Sequence, residues 1–191
     1  AIQAAAVDIA DWHSPSKDTR FTRFRGDGWQ ICLSKPGLAL RAAVVIQGRL
    51  IAQGMESRIA IGVGAADTLG TADLSDAAGR AFELSGHGLV QMGDTSRLTF
   101  DKDGVQVEDQ LIADLLGERM GRWTAAQVEA AAMQLASPSG IRTLAEIGKQ
   151  LKISPQAVND RVRGAGCHVI ASVLRRWEGA KAQEGWDRPH D

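Results

Sequence analysis

The chain has 191 residues, of which 44% are hydrophobic and 24% charged, and a formal net charge of −1. This composition is typical of a folded globular protein and excludes a disordered or fibrous one. No apolar run reaches the roughly 18 residues of a membrane-crossing helix, so we expect no membrane partner. Cys32 and Cys167 are far apart and outside any CxxC motif, which favours a reduced, cytoplasmic compartment. We find no signal-peptide pattern, and since the first residue is not Met we expect a trimmed chain.

Charge is distributed unevenly along the sequence. Residues 1–117 carry 11 Lys/Arg and 15 Asp/Glu, a net of −4, whereas residues 118–191 carry 11 and 8, a net of +3. Residues 141–181 alone hold eight basic and three acidic side chains, a net of +5. We therefore predict an α+β domain over residues 1–117 and a helical domain over residues 118–191 that binds a polyanion. A merely solvated basic surface is the alternative interpretation.

The first domain is predicted to alternate helices and strands. In chain order we expect a helix near residues 2–12, a hairpin of runs 21–25 and 29–33 around Gly26-Asp27-Gly28, a helix over 38–51 capped by Ser34, a buried strand at 58–64, a helix over 73–91 and a strand at 97–100. One further strand before residue 1 would complete a ferredoxin-like βαββαβ order. The expected fold class is therefore α+β, with a ferredoxin-like N-terminal domain that lacks its first strand in this chain.

The second domain is predicted to be entirely helical. Thr124 can cap one helix, Thr143 with Glu146 forms a capping box for the next, and Ser154 with Pro155 begins a third. A last helix covers residues 165–182 and carries an apolar stripe that is either core or a dimer seam. The stripe consists of Ile170, Val173, Leu174 and Trp177.

Residues 143–162 carry the strongest functional pattern. Two short capped helices are joined by a turn of three to four residues, Gly148 is small enough to let the helices cross closely, and Ile153 can plug the turn. The segment resembles the helix-turn-helix of bacterial transcriptional regulators, which implies a second helix in the major groove of double-stranded DNA. Lys152 stands in the turn where glycine is common. A helical hairpin that serves only packing is the alternative.

Seven residues are predicted to contact DNA. Gln, Asn and Arg side chains can bond bidentately to base edges, whereas cations and a helix N-terminus suit phosphate. The expected base-reading residues are Gln156, Asn159 and Arg163, and the expected backbone contacts are Arg142, Lys149, Lys152 and Ser154. Because one such motif reads only a few base pairs, we also expect a homodimer on two half-sites.

A second set of motifs lies in the first domain. It comprises Arg23-Phe24-Arg25-Gly26-Asp27-Gly28-Trp29-Gln30, then the small-residue helix, then residues 58–64 and 79–85. Residues 1–101 resemble the core of a class III nucleotidyl cyclase domain. Nearly the whole chain resembles the SatD-like bacterial family, in which a cyclase-like domain precedes a helix-turn-helix. The resemblance implies that Asp27 matches an aspartate that binds a catalytic divalent cation and that Arg23 matches a base-reading position.

The departures from the cyclase pattern predict that turnover is lost. Cyclases need a second metal-binding aspartate on the first strand, and this chain lacks that strand. They also need an Asn and an Arg on the helix that follows residues 58–64. The nearest alignment places Glu83 and His87 at these two positions. We expect no catalytic residue, metal or cofactor, and leave open a nucleotide-like effector near Arg23 and Asp27. An Asp27 that only forms the turn is the alternative.

The predicted function is thus a DNA-binding transcriptional regulator whose degenerate cyclase-like domain serves dimerisation or effector sensing. Two other classes of protein stay open. One is a divergent nucleotidyl cyclase or nucleotide-processing enzyme with a helical accessory domain, and the other is a purely structural interaction protein.

Overall fold

The structure is a computed structural model that describes residues 2–12, 20–24, 26, 28–71, 73–103, 106–136, 138 and 142–186. The predicted α+β class is confirmed, and helices dominate the described chain. The elements are α1 Ile2–Asp11, β1 Arg20–Phe24, β2 Gly28–Cys32, α2 Ala39–Ile51, β3 Ile59–Val63, α3 Arg80–Gln91, β4 Leu98–Lys102, α4 Val107–Gly121, α5 Ala125–Leu135, α6 Leu144–Leu151, α7 Pro155–Ala165 and α8 Cys167–Gln183.

The strands pair in two separate ribbons. β1 and β2 form the predicted antiparallel hairpin, with Phe21 opposite Ile31. β3 and β4 are parallel, with Ile61 opposite Phe100. Among the described residues, β2 pairs with no strand except β1, and β3 with no strand except β4. The ribbons are therefore joined through helix packing and not through a continuous sheet.

Helix α2 lies at the centre of one apolar core to which both halves of the chain contribute. Every residue from Leu40 to Gly48 is buried, as expected for a helix covered on all sides. Gly48 faces α5, since a Cβ placed there would lie 3.4 Å from the Cβ of Ala132. The predicted domain boundary at residue 117 falls inside α4, which packs on β4 and α2.

Two buried ion pairs tie α8 to the N-terminal half. The Arg41 guanidinium donates to both carboxylate oxygens of Glu178, at 2.6 and 3.0 Å, and to the carbonyl of Leu135 at 3.2 Å. Lys181 lies 2.9 Å from an Asp109 carboxylate oxygen. Since all ionic atoms at these contacts have partners, the pairs fix how α8 sits on α2 and α4.

Three predicted helix starts are confirmed and two are wrong. Thr124, Thr143 and Ser154 cap α5, α6 and α7. Ser34 does not cap α2, because residues 36–38 first form a 3₁₀ turn and Leu38 occupies the N-cap.

The second wrong start is that of α3, which begins at Arg80 and not at residue 73. The Asp73 side chain accepts a hydrogen bond from the Ser75 amide and caps only a 3₁₀ turn. Ala78 then pairs with Thr68 and draws the chain into an extended form. The helix can start only after this bridge.

The apolar stripe of the last helix lies inside the molecule. Ile170, Leu174 and Trp177 are at most 4% exposed, and Val173 is half-buried. The stripe packs into the common core, so its interpretation as a dimer seam is wrong. None of the described helices has the combination of length and apolarity that crossing a membrane requires.

Candidate nucleic-acid interface

Local hydrogen bonds define the starts of α6 and α7. The Thr143 hydroxyl accepts from the Glu146 amide at 3.2 Å, and a Glu146 carboxylate oxygen accepts from the Thr143 amide at 2.7 Å. The Thr143 amide, and after it the Thr143 hydroxyl, which also donates to this carboxylate at 2.9 Å, hold the pKa of Glu146 below its ordinary value. Ser154 caps α7 by accepting from the Ala157 amide at 3.1 Å. Each helix therefore starts where the sequence provides a side-chain acceptor.

The turn between the two helices consists of residues 152–154 and is compact. Lys152 adopts the left-handed conformation, with φ 56° and ψ 42°. The Ile153 amide donates to the Gly148 carbonyl at 3.0 Å. A Cβ at Gly148 would lie 2.7 Å from the Ile153 carbonyl oxygen, so only glycine fits there. The predicted role of Gly148 in close approach is confirmed.

The inner faces of both helices are fixed against α5. Ile147, Val158 and Val162 are at most 1% exposed, and α5 packs on both α6 and α7. Ile153, at the turn, is half-buried and packs against the same core. The three helices therefore form one packed unit, and α7 presents a defined opposite face to solvent.

The outward face of α7 is centred on Gln156, Asp160 and Arg163, all exposed and spaced by four and three residues, as one helix face requires. The Gln156 amide nitrogen donates to an Asp160 carboxylate oxygen at 3.2 Å. Asn159 lies at the flank of this face and is half-buried. Asn159 is therefore less accessible than Gln156 and Arg163, the two other predicted base-reading residues.

The predicted phosphate contacts lie on α6, in the turn and just before α6. Arg142, Lys149, Lys152 and Ser154 are all exposed, and Arg142 donates to the Gln150 side chain at 3.1 Å. Two charged residues of the segment 141–181 are not available to DNA. Lys181 and Glu178 are engaged in the two buried ion pairs with Asp109 and Arg41. Because one charge of each sign is removed, the remaining net charge of this segment stays at +5.

The C-terminal end of α7 is clamped by two residues that the sequence did not single out. Arg119 donates to the Gly164 carbonyl at 2.8 Å and to the Ala165 carbonyl at 3.2 Å. The Trp123 indole donates to the same Ala165 carbonyl at 2.9 Å. A cation at a helix C-terminus also complements the helix dipole. No local sequence pattern reveals these contacts, since about 40 residues separate the partners.

The second predicted site lies at a groove between β2 and β3. Arg23 is exposed at the hairpin and lines this groove. Asp27 lies outside the described residues. Glu83 and His87 do not line the groove, since Glu83 bonds Arg80 at 3.1 Å and the His87 ring bonds Asp101 at 2.6 Å. The two side chains that the resemblance places at a ribose therefore lie outside this groove.

The glycine-containing strand β3 packs closely on α3. A Cβ at Gly62 would lie 2.2 Å from the Ala81 carbonyl oxygen, so this glycine is what permits the close packing. In the part of the chain that the structure covers, no three His, Cys, Asp or Glu side chains are grouped so that they could hold a metal ion. Comparison of the chain with known protein families, curated proteins and solved structures found no match.

Proposed function

We propose that this chain is a DNA-binding transcriptional regulator in which α6, the turn and α7 act as a helix-turn-helix. The observation that carries the proposal is the exposed face of α7 with Gln156, Asp160 and Arg163, which lies opposite a face buried against α5. A helix held rigidly on one side and at its C-terminus is suited to enter the major groove, which is about 12 Å wide.

The chemistry of the exposed face fits base edges. An arginine such as Arg163 can bond bidentately to guanine, and an acidic side chain such as Asp160 can accept from the cytosine amino group. Gln156 and Asp160 bond each other in the free protein, so this contact must open when both reach bases. Lys149, Lys152 and the N-terminal end of α7 are suited to phosphate.

The test is fluorescence anisotropy with DNA fragments from upstream of the gene, in competition with unrelated DNA. Arg163→Ala should lose roughly 10- to 100-fold in specific affinity, because a bidentate base contact discriminates by about 1–3 kcal/mol. Lys149→Ala should weaken binding to all sequences alike and reduce the salt slope by about 1. Arg58→Ala, an exposed arginine before β3, is the matched control and should bind normally. Unchanged specific affinity in Arg163→Ala would reject the proposed helix-turn-helix.

The proposal includes a homodimer, with the contact on α4 and not on α8. Val107, Leu111 and Leu115 are 69%, 54% and 70% exposed and follow one another at four-residue spacing, so they form a stripe on one side of α4. Exposed apolar stripes of this kind are typical of protein interfaces, and a two-fold axis can place the same stripe against itself.

Sedimentation tests the dimer. The chain should sediment at twice its 20.4 kDa mass at micromolar concentration, and Leu111→Lys with Leu115→Glu should yield the monomer. Val169→Lys, at an apolar position on α8 that is 68% exposed, serves as the control. A monomer both with and without DNA would reject the dimer but not the DNA-binding face.

The N-terminal part is proposed to sense an effector and not to turn over a nucleotide. Arg23, Arg58 and Arg97 line other parts of the groove, but the α3 residues that line it, which include Ala81, Phe82 and Ser85, provide no positive charge at that wall. In-line attack on a phosphate builds negative charge that positioned cations must offset. Incubation with ATP or GTP and Mn²⁺ should therefore give no cyclic nucleotide. A cyclic product that disappears in Asp27→Ala would favour the enzyme instead.

A further inference from the structure

The exposed side of α8 is positively charged and presents no carboxylate. Arg175 and Arg176, called the arginine pair below, are both exposed, and none of the exposed residues of α8 is Asp or Glu. The one acidic residue of this helix, Glu178, is half-buried and accepts hydrogen bonds from Arg41 with both carboxylate oxygens. No acidic side chain of α8 therefore neutralises the arginine pair.

The arginine pair also lacks the ion-pair partners that nearby arginines have. Arg122 and Arg161 each form an ion pair with a glutamate. Within the described parts of the chain, no carboxylate lies within ion-pair distance of the arginine pair. Because an exposed cation without a partner keeps its charge for other molecules, this side of α8 is suited to bind a polyanion.

The arginine pair lies close to the proposed DNA-binding face. Helix α8 follows α7 after the single residue Gly166, which has φ 76°. Twelve positions separate Arg163 from Arg175, and helical geometry on both sides of Gly166 keeps their Cα atoms within about 20 Å. This distance is shorter than one turn of B-DNA, about 34 Å. Both helices pack on α5, so their exposed sides face away from the same support.

We propose that the arginine pair binds backbone phosphates of double-stranded DNA beside the bases that α7 reads, an inference that rests on the proposed helix-turn-helix. A guanidinium offers several N–H donors in a fixed geometry that matches phosphate oxygens. Arg176 donates to the Ser172 hydroxyl at 3.1 Å, which orients the guanidinium and leaves further donors free. Gly179 and Ala180, one turn further along, are exposed and small, so a DNA backbone can approach α8 closely.

Phosphate binding by the arginine pair has a signature that a merely solvated pair lacks. Each neutralised phosphate releases condensed counterions and steepens the dependence of log affinity on log salt concentration by about 0.9. Contacts to phosphate strengthen binding to every sequence and add no base preference. The arginine pair should therefore change the salt dependence of binding and leave the ratio of specific to non-specific affinity unaltered.

The experiment compares the 191-residue chain with a variant that combines Arg175→Gln and Arg176→Gln. The matched control combines Arg58→Gln and Arg80→Gln, which removes the same charge from two exposed arginines of the N-terminal half. Fluorescence anisotropy gives the affinity for upstream and unrelated DNA between about 50 and 200 mM salt. Ethylation interference identifies the phosphates in contact with each protein. Circular dichroism should be the same for all three proteins, since every substituted side chain is exposed.

The variant of the arginine pair should have a salt slope smaller by about 1.8, so between about 50 and 200 mM salt it loses about 12-fold less affinity than the unmutated chain. Upstream and unrelated DNA should respond alike, and ethylation of the phosphates beside the α7 contacts should no longer interfere. The control should keep the slope and the interference pattern of the unmutated chain.

Three results would overturn the proposal. An unchanged slope, or an equal decrease in the control, means that the arginine pair touches no phosphate, while Arg163→Ala still reports separately on the helix-turn-helix. A loss confined to upstream DNA means that the pair reads bases. If the unmutated chain binds no DNA at all, both this proposal and the proposed function fail.

Discussion

Lys152 combines an unfavourable backbone conformation with a useful charge. It is the only non-glycine residue with positive φ among the described residues, and for an L-residue this conformation costs roughly 1–2 kcal/mol. The side chain is exposed beside the N-terminal end of α7. A glycine would relieve the backbone but remove a cation from the proposed phosphate contact.

Lys152→Gly should therefore raise the free energy of unfolding by about 0.5–1 kcal/mol and weaken DNA binding. Urea denaturation and anisotropy measure the two effects on the same sample. Lys149→Gly is the matched comparison, because Lys149 lies within α6 and should lose stability by about 1 kcal/mol. A destabilised Lys152→Gly protein would contradict the interpretation of this turn.

Cys167 should be inert in the folded protein. It is 1% exposed at the start of α8, and burial raises the pKa of its thiol to about 12. Only the thiolate reacts with disulfide reagents, so at pH 8 a negligible fraction is reactive. Titration with a chromogenic disulfide should detect at most one thiol per native chain and both after denaturation. Two thiols that react rapidly without denaturant would contradict the packing around α8.

At the scale of single elements, we expect the two residues that clamp the C-terminal end of α7 to contribute unequally to the free energy of unfolding. Trp123 is 7% exposed and bonds the Ala165 carbonyl, whereas Arg119 is exposed. Trp123→Phe leaves a cavity and removes a buried donor, which together should cost about 2 kcal/mol. Arg119→Ala should cost less, because water can replace an exposed donor. Urea denaturation of both variants tests this order, and a larger loss in Arg119→Ala would show that the charge at the helix end dominates.

Helix starts could be predicted where a side chain supplies the missing acceptor. Thr124, Thr143 and Ser154 each bond an amide three residues on, a contact that depends only on local spacing. The start of α3 could not be predicted, since the Thr68 to Ala78 bridge that delays it joins residues ten positions apart. Local sequence patterns thus located the helices and strands, but not the long-range hydrogen bonds that decide where a helix begins.

The residues of the candidate nucleic-acid interface, like the helix starts, could be predicted where they depend on local spacing and not where they depend on long-range contacts. Six of the seven proposed DNA contacts are exposed, and Asn159 alone among them is half-buried. The clamp from Arg119 and Trp123 depends on how α4 meets α7, which periodicity does not reveal. Helix α4 was not predicted from the sequence. Its exposed apolar residues Val107, Leu111 and Leu115 hide the periodic apolar pattern of its buried side.

At the scale of the whole molecule, α2 connects the groove to the proposed DNA-binding unit. One side of α2 forms the base of the groove, and another packs on α5, which supports α7. Arg41 of α2 also bonds Glu178 of α8. A shared core of this kind favours one cooperative unfolding transition over two.

The Asp109–Lys181 ion pair can be used to test whether both halves of the chain unfold in one cooperative transition. Lys181 and Asp109 have side chains 5% and 2% exposed, and the Trp177 indole donates to the same carboxylate at 2.8 Å. Removing one partner of a buried pair leaves an uncompensated charge and typically costs 3–5 kcal/mol, whereas replacing both is often nearly neutral. Glu184, 3.2 Å from Lys181 and half exposed, can compensate only in part.

Asp109→Ala should therefore lower the free energy of unfolding by about 3 kcal/mol, and Asp109→Ala with Lys181→Met should recover much of that loss. Glu184→Gln, at the exposed partner, is the control and should change stability by less than about 1 kcal/mol. Tryptophan fluorescence and far-ultraviolet circular dichroism should give coincident transitions for all three variants, because the pair joins α8 to α4 within one core. Separate transitions for the two signals in Asp109→Ala alone would mean that this ion pair, and not the shared apolar core, holds the halves together.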